Sequence, residues 1–347
     1  MDIKKLHIKN FKSLVAVEII EPNPFTVFVG PNGSGKSNIF EAIEFGNFCY
    51  RFSSNDATSV FGTHNIIPKK IKTIINQVSD FQENILMDTG LETATYPVKI
   101  TINIILDNLS QFPIVVGFDE KFNSKILRIT HEIDDPFEYM QYISNFSRIF
   151  IGNSKLRRLN IFDDRKLNVD ASNLENVLDR LLKSEMVKTE LEEYLQLLIP
   201  ELEKIEIKAS SLSNTKELLI YEKNQDEPFG ENLISDGTYN TLSLLTAVLQ
   251  SDEPQFLCIE EPENGLHPFA IKQLVAFFRQ QCQEKGHYIW LNTHSQTLVS
   301  ELKPEEIITV NKVDGATTIK QHKGEDIYNL TMDEAWLSNA LGGGVPW

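Results

Sequence analysis

Phe25-Thr-Val-Phe-Val29 is a short apolar run rich in β-formers, and Gly30-Pro-Asn-Gly-Ser-Gly35-Lys36-Ser37 follows it directly. The eight residues from Gly30 fit G-x-x-x-x-G-K-[ST]. After Lys36, apolar residues recur at helical spacing at Ile39, Phe40, Ala42, Ile43 and Phe45. At average composition the four fixed positions coincide by chance about once per hundred chains of this length. A strand before and a helix after make the match far more specific. Strand, glycine turn and helix in that order gather free backbone N–H groups at a helix N-terminus, which favours an anion. The reading is a phosphate loop for ATP, with Gly30, Asn32, Gly33, Ser34, Gly35, Lys36, Ser37 and Asn38 lining it. Amides from Gly33 to Ser37 would wrap the β-phosphate. Lys36 would reach the β- and γ-phosphates, and the Ser37 hydroxyl would bind Mg2+.

Downstream, Phe256-Leu-Cys-Ile-Glu260-Glu261 places two carboxylates at the end of an apolar strand. Ligands of open α/β sheets bind at that end of the strands. Glu260 is expected to hold Mg2+, directly or through water, and Glu261 to polarise the attacking water. Pro262 keeps Glu261 out of helical geometry. Another apolar strand, Tyr288–Leu291, runs into Thr293-His294-Ser295, where His294 is placed to bond the γ-phosphate. Leu233-Ile-Ser235-Asp236-Gly237-Thr238 opens a further helix and offers a serine, a glycine amide and a helix N-terminus.

The 347-residue chain carries 33 Lys+Arg against 49 Asp+Glu, a net charge of −16. That balance argues against a general nucleic-acid coat, since phosphate neutralisation needs Lys and Arg. Between Asn224 and Ile271 there are nine acidic residues and no Lys or Arg, a stretch suited to a metal and unsuited to DNA. Basic spots lie at Lys4, Lys5, Lys9 and Lys12, at Lys69, Lys70 and Lys72, and at Lys155, Arg157, Arg158, Arg165 and Lys166. They would suit nucleic acid or an acidic partner. Cys49, Cys258 and Cys282 have no metal-like spacing and read as reduced packing residues, so a cytoplasmic protein is expected. No apolar run approaches the roughly 18 residues of a membrane span.

Strand patterns also cover Ile100–Leu106, Phe112–Phe118, Ile205–Ile207, Leu218–Ile220 and Ile307–Val310. Ser172-Asn-Leu-Glu175 reads as a capping box before a helix, Asp236 as the cap of the later helix, and Pro268 and Gly286 as the bounds of another. Alternating strands and helices at both ends imply an α/β fold with a mostly parallel sheet.

Taken in this order, the motifs resemble those of ABC-type ATPases of the RecF/SMC/OLD kind. Ser235-Asp-Gly-Thr resembles a degenerate ABC signature. Glu261-Pro-Glu-Asn-Gly-Leu-His-Pro268 resembles the Walker B extension and D-loop. Ile8-Lys-Asn-Phe-Lys-Ser13 resembles the opening hairpin, whose residues after the aromatic approach nucleotide, which would bring Lys12 there. Asp170-Ala-Ser-Asn-Leu174 resembles part of the helical arm. Glu260 stands where aspartate is usual. The resemblance implies an ABC-type P-loop head with antiparallel N-terminal strands and a helical arm insertion. It divides the chain into an N-terminal lobe, 1–135, a mostly helical arm, 136–204, a C-terminal lobe, 205–330, and a Gly/Trp tail, 331–347. Residues 36 and 260 lie 224 apart, which the insertion would explain. The Q-loop glutamine is left open among Gln77, Gln82 and Gln111.

The resemblance further implies a homodimer that sandwiches two ATP molecules, each capped by Ser235 and Gly237 of the partner copy, with larger homo-oligomers also compatible. Only 37 residues follow Val310, too few for the Toprim nuclease domain of OLD proteins. A separate effector, a nuclease or toxin in antiphage defence, is therefore the expected partner. A RecF-like DNA clamp and a nucleotide-gated scaffold with little turnover are the rival readings. Trp336 and Trp347, flanking a glycine run, are expected to dock on a partner.

Overall fold

A computed structural model describes residues 3–51, 98–106, 111–118, 124–129, 145–151, 164–209, 216–230, 233–325, 327 and 330–342. Along the chain, β1 (Ile3–Phe11), β2 (Leu14–Ile20) and β3 (Phe25–Val29) precede α1 (Lys36–Arg51). β4 (Val98–Leu106), β5 (Gln111–Phe118), β6 (Ser124–Ile129) and β7 (Phe146–Ile149) come next, then α2 (Leu174–Leu181) and α3 (Glu185–Leu198). β8 (Leu202–Ala209), β9 (Lys216–Glu222) and β10 (Phe229–Gly230) lead to α4 (Asp236–Leu249) and β11 (Phe256–Glu260). The chain continues through α5 (Pro268–Lys285), β12 (Tyr288–Thr293), α6 (Gln296–Ser300), β13 (Ile307–Val313), β14 (Ala316–Gln321) and α7 (Met332–Leu337).

The central sheet has the order β14-β13-β3-β12-β11-β7. Five of its strands are parallel, and β14 is an antiparallel edge. β3, β11 and β12 are buried at every position. Their sequences are continuous apolar runs because helices cover both faces of the sheet. Phe28 touches Phe40 of α1 and Trp290 of β12, each at 5.5 Å between ring centroids, and so locks the helix after the glycine turn onto the sheet.

A second, antiparallel sheet has the order β2-β1-β4-β5-β6. β1 and β2 bury Leu6, Ile8, Phe11, Leu14, Val17 and Ile19 and turn the residues between them, Val15 and Ile20 included, toward the surface, the half-buried pattern of such sheets. Phe11 meets Phe45 of α1 at 5.6 Å. Gln321 of β14 exchanges two hydrogen bonds with the backbone of Ile20, which ties the two sheets together. A small sheet, β10-β9-β8, lies beside α2 and α3. Burial pushes the Cys258 thiol well up and the Cys282 thiol up to about 12, so both stay protonated packing groups.

Four expectations change. Residues 136–204 read as an arm, yet β7 is a strand of the central sheet, and α2 and α3 bury Leu174, Val177, Leu178, Leu191 and Leu195 in the same core as β3 and β11. The short run Phe146–Ile149 lacks a sequence signal of its own because Arg148 interrupts it. The box at Ser172 does not form. Asn173 is the N-cap, and its side chain is used elsewhere, accepting from Asn168 N and donating to Lys166 O, each at 2.7 Å. The cap of α4 is Ser235, one residue before Asp236, with Oγ accepting from Thr238 N at 3.1 Å.

The tail also differs. Met332, Ala335 and Trp336 form one face of α7 and are buried with Leu341 in the main core. Trp336 therefore packs on its own chain. The signal is a one-turn stripe behind Thr331, whose N–H donates to Glu334 Oε2 at 3.0 Å. Gln77, Gln82, Trp347 and the basic residues at 69–72 and 155–158 lie outside the described residues, as does the side chain of Gln111.

Candidate active site

The glycine turn sits between β3 and α1 and is pinned from behind by the C-terminal hairpin. A Cβ on Gly35 would meet Thr317 Oγ1 at 2.1 Å, so only glycine lets β14 approach this closely. Thr317 Oγ1 donates to Ser34 O at 2.7 Å, and the Ser13 hydroxyl bonds Thr317 Oγ1 at 2.6 Å. Asn38 Nδ2 donates to Ser13 Oγ at 2.7 Å. Strand ends from opposite termini thus fix one turn. Asn32 and Gly33 are exposed at its tip, whereas Ser34 is buried, its hydroxyl without a partner.

Lys36 is the first residue of α1 and is buried. Its ammonium donates to Gly30 O at 2.7 Å and Pro31 O at 3.1 Å. Burial lowers its pKa to about 8, against the opposing pull of Glu261, Glu260 and Glu263. A half-desolvated ammonium on two carbonyls gains from an incoming polyanion. Lys12 does not point a free charge at the turn. Its ammonium pairs with Glu41 of α1.

Ser37 Oγ donates to Glu260 Oε2 at 2.5 Å. The residues come from the start of α1 and the end of β11, and their meeting joins a hydroxyl and a carboxylate in one spot. Among the described residues no group of three or more His, Cys, Asp or Glu stands ready to hold a metal by itself. One hydroxyl with one carboxylate nevertheless fits a cation that takes its remaining ligands from phosphate and water, as Mg2+ does.

Glu261 has φ 48°, the left-handed region, and is held there because its N–H faces both O and Oδ1 of Asn292, at 3.0 and 3.1 Å. Its Oε2 accepts from Asn264 Nδ2 at 3.0 Å. Glu263 Oε1 accepts from Thr293 Oγ1 at 2.5 Å and from His294 N at 3.1 Å, so the turns after β11 and β12 are stitched together. Burial raises the Glu263 pKa. The His294 ring is exposed. Burial and then Lys36 lower its pKa, with Glu261 opposing, so its field is shared with two other candidate residues.

Ser235 and Gly237 stand apart from this set. Ser235 is exposed and bonds Thr238, at 3.1 Å to its N and 2.9 Å to its Oγ1. Gly237 packs on Gly265, whose carbonyl a Cβ on Gly237 would meet at 2.3 Å. The signature-like turn therefore rests on the D-loop-like turn.

Two buried residues at this site escaped the sequence reading. Arg148 of β7 donates from Nε to Glu260 Oε1 at 2.6 Å, and its Nη1 reaches Glu44 of α1 at 2.8 Å. Burial opposes its charge, but Glu260 and Glu44 more than offset that and raise its pKa. Asn292 touches Ser37, Glu260 and Glu261. Neither residue type is marked by a motif, and Arg148 lies in a run, Phe-Ser-Arg-Ile, with no strand signal of its own.

Comparison with known proteins bears on the fold and the family. The chain is 54% identical to chromosome partition protein Smc of Methanocaldococcus jannaschii over 43 residues, 12% of this chain and 4% of that protein. It spans between 4% and 12% of the length of the chromosome partition proteins it matches. It is 23% identical over 340 residues to an ATP/GTP phosphatase of Helicobacter pylori, covering 86% of this chain and 87% of that one. The Smc head domain with an extended coiled coil from Pyrococcus furiosus, solved bound to the C-terminal domain of ScpA, superposes with a TM-score of 0.57 at 17% identity, covering 99% of each chain. That likeness shows the fold, an SMC-type ABC ATPase head. The family model described as "AAA domain, putative AbiEii toxin, Type IV TA system" matches residues 25–300. That span runs from the strand before the glycine turn to beyond His294, and the chain belongs to this family of SMC- and RecF-like ABC-type ATPases.

Proposed function

We propose that the chain is a Mg2+-dependent ATP phosphohydrolase that acts as a switch, closing as a homodimer over two ATP molecules and reopening on hydrolysis. The observation that carries the reading is the 2.5 Å approach of Ser37 Oγ to Glu260 Oε2, with Lys36 and Glu261 beside it. Ser37 and Glu260 would hold Mg2+, which supplies charge neutralisation to the phosphates when bound. Lys36 exchanges its two carbonyl partners for phosphate oxygens. The amides of Gly33 to Ser37 take the remaining anionic edge, with Asn32 and Asn38 at the rim. Glu261 accepts the proton of the attacking water, its carboxylate aimed by Asn264 and its backbone held by Asn292. His294 is neutral at pH 7, because its pKa is below the usual value, and donates an N–H to the γ-phosphate. Ser235 and Gly237 cap the nucleotide of the partner copy.

The family description names a putative toxin of a type IV toxin–antitoxin system; we extend the reading to control of a separate effector, a nuclease or toxin, in antiphage defence. The buried, protonated thiols fit a cytoplasmic setting. A RecF-like clamp is the second reading, favoured by a RecF relative 44% identical over 45 residues. A steep salt dependence of DNA affinity in the ATP state would select it.

Glu261→Gln tests the assignment. ATP binding should persist while turnover falls about 10²–10⁴-fold, the usual worth of a positioned base. If Glu260→Gln bound ATP and trapped it in a closed dimer while Glu261→Gln did not, the two carboxylates would have to exchange roles.

A further inference from the structure

Both oxygens of the Glu260 carboxylate are committed, and to different elements. Oε1 takes the Arg148 Nε hydrogen bond at 2.6 Å and a second, very short one from Nη2. Oε2 accepts from Ser37 Oγ at 2.5 Å and from Asn292 Nδ2 at 3.2 Å. Arg148, Glu260 and Asn292 are 4%, 3% and 2% exposed, so water does not compete for these bonds.

The register explains how they meet. Cys258 pairs with Arg148 across β11 and β7, so Arg148 and Glu260, two residues past Cys258, project from the same face of the sheet. α1 covers that face, with Ser37, Glu41 and Glu44 one and two turns apart on one side. The far end of the guanidinium reaches Glu44 at 2.8 Å and Glu41 at 3.6 Å. Its positive charge is thus shared between Glu260 and the two carboxylates of α1. Asn292 spends its Oδ1 on the Glu261 N–H, which fixes its amide so that Nδ2 faces Glu260.

We propose that Arg148 and Asn292 are positioning residues that clamp Glu260, so that a single carboxylate oxygen, Oε2, is presented to the divalent cation beside Ser37 Oγ. Neither residue touches cation or nucleotide. Arg148 fixes Oε1 and ties the helix carrying Ser37 to the strand carrying Glu260. Asn292 sets the direction of Oε2. The inference rests on the Ser37–Glu260 pair being the metal position.

The test is Mn2+ binding to the full chain, read by electron paramagnetic resonance with a non-hydrolysable ATP analogue present. Asn292→Ala should bind Mn2+ about 10–100-fold more weakly, the usual effect of losing a residue that orients a metal ligand. Its analogue affinity in EDTA should stay within about twofold of wild type, because the amide acts on the carboxylate and not on the phosphates, while the melting temperature falls by the few degrees that losing one buried hydrogen-bonding side chain costs. Arg148→Lys keeps the charge but lacks the fork that spans Glu260 and Glu44, and should show the same split. Should that variant fail to fold, Asn292→Ala decides alone. Wild-type Mn2+ affinity in Asn292→Ala overturns the clamp and leaves the ATPase reading intact. Loss of Mn2+ binding only in step with lost analogue binding in EDTA makes the residue structural and overturns it too. A wild-type chain that binds the analogue but no Mn2+ removes the metal reading itself, and the clamp with it.

Discussion

The nucleotide edge of the central sheet and the N-terminus of α4 are built in opposite ways. At the sheet edge, Lys36, Glu260, Asn292 and Thr293 are buried, and Glu260 alone joins three segments, α1, β7 and β12. At α4, Ser235 and Asp236 are exposed, and the Ser235 hydroxyl bonds within its own turn. A preorganised, dry constellation holds charges in place before a substrate arrives. An exposed cap whose hydroxyl has only local partners leaves its outer face open, and on the proposed function that face meets the partner copy's nucleotide. The proposed division of labour follows: one chain supplies the cutting half of a site and the partner copy supplies the lid.

The comparison breaks first at Lys36. Lys36→Ala should lower ATP affinity by roughly 10²-fold or more, from the 3–5 kcal/mol typical of removing one partner of a buried charge pair. Calorimetry showing wild-type affinity would remove the phosphate loop from the account.

Why the sheet edge was readable and its supports were not follows from the same contrast. Gly30 to Ser37, Glu260 and His294 stand in local motifs, because a turn and a strand end must carry particular residue types wherever they occur. The burial of β3, β11 and β12 was equally legible as apolar runs. Arg148 and Asn292 carry no local signature, since their meaning comes from cross-strand register and from a helix more than a hundred residues away. The packing of the helices expected in the arm is hidden for a related reason. A helix starting near Ser172 is legible, and α2 begins at Leu174, but periodicity says which face is apolar and not what covers it. Trp336 was read as unpartnered because one helical turn is too short to display a period.

Ser235→Asp sharpens the other half. Aspartate is as good an N-cap as serine, so α4 should stay intact while a negative charge faces the partner's phosphates. ATP binding by the monomer should stay within about twofold, while ATP-dependent dimerisation, followed by light scattering, should weaken at least about tenfold, as a like charge placed against phosphate costs several kcal/mol. Loss of monomer binding would place Ser235 in the same half as Lys36.

The smallest effect is protonic. The Lys36 pKa of about 8 lies below the ordinary value because of burial, and a bound polyphosphate raises it. Binding should therefore take up roughly half a proton or more at pH 8.5 and less at pH 7.5. Calorimetry in two buffers of different ionisation enthalpy reads this directly. Binding heats independent of buffer at pH 8.5 would mean that the ammonium is already fully charged in the free protein.

The central claim, that each working site joins the sheet edge of one chain to the α4 turn of another, is tested most directly by mixing two inactive variants. Lys36→Ala retains an intact Ser235 turn, and Ser235→Asp retains an intact Lys36 edge. Each alone should hydrolyse little ATP. Each mixed dimer carries one intact composite site out of two, so activity should reappear on mixing and approach about half that of a wild-type dimer per mixed dimer formed. No recovery at any mixing ratio, with mixed dimers demonstrated in the same sample, would contradict the account.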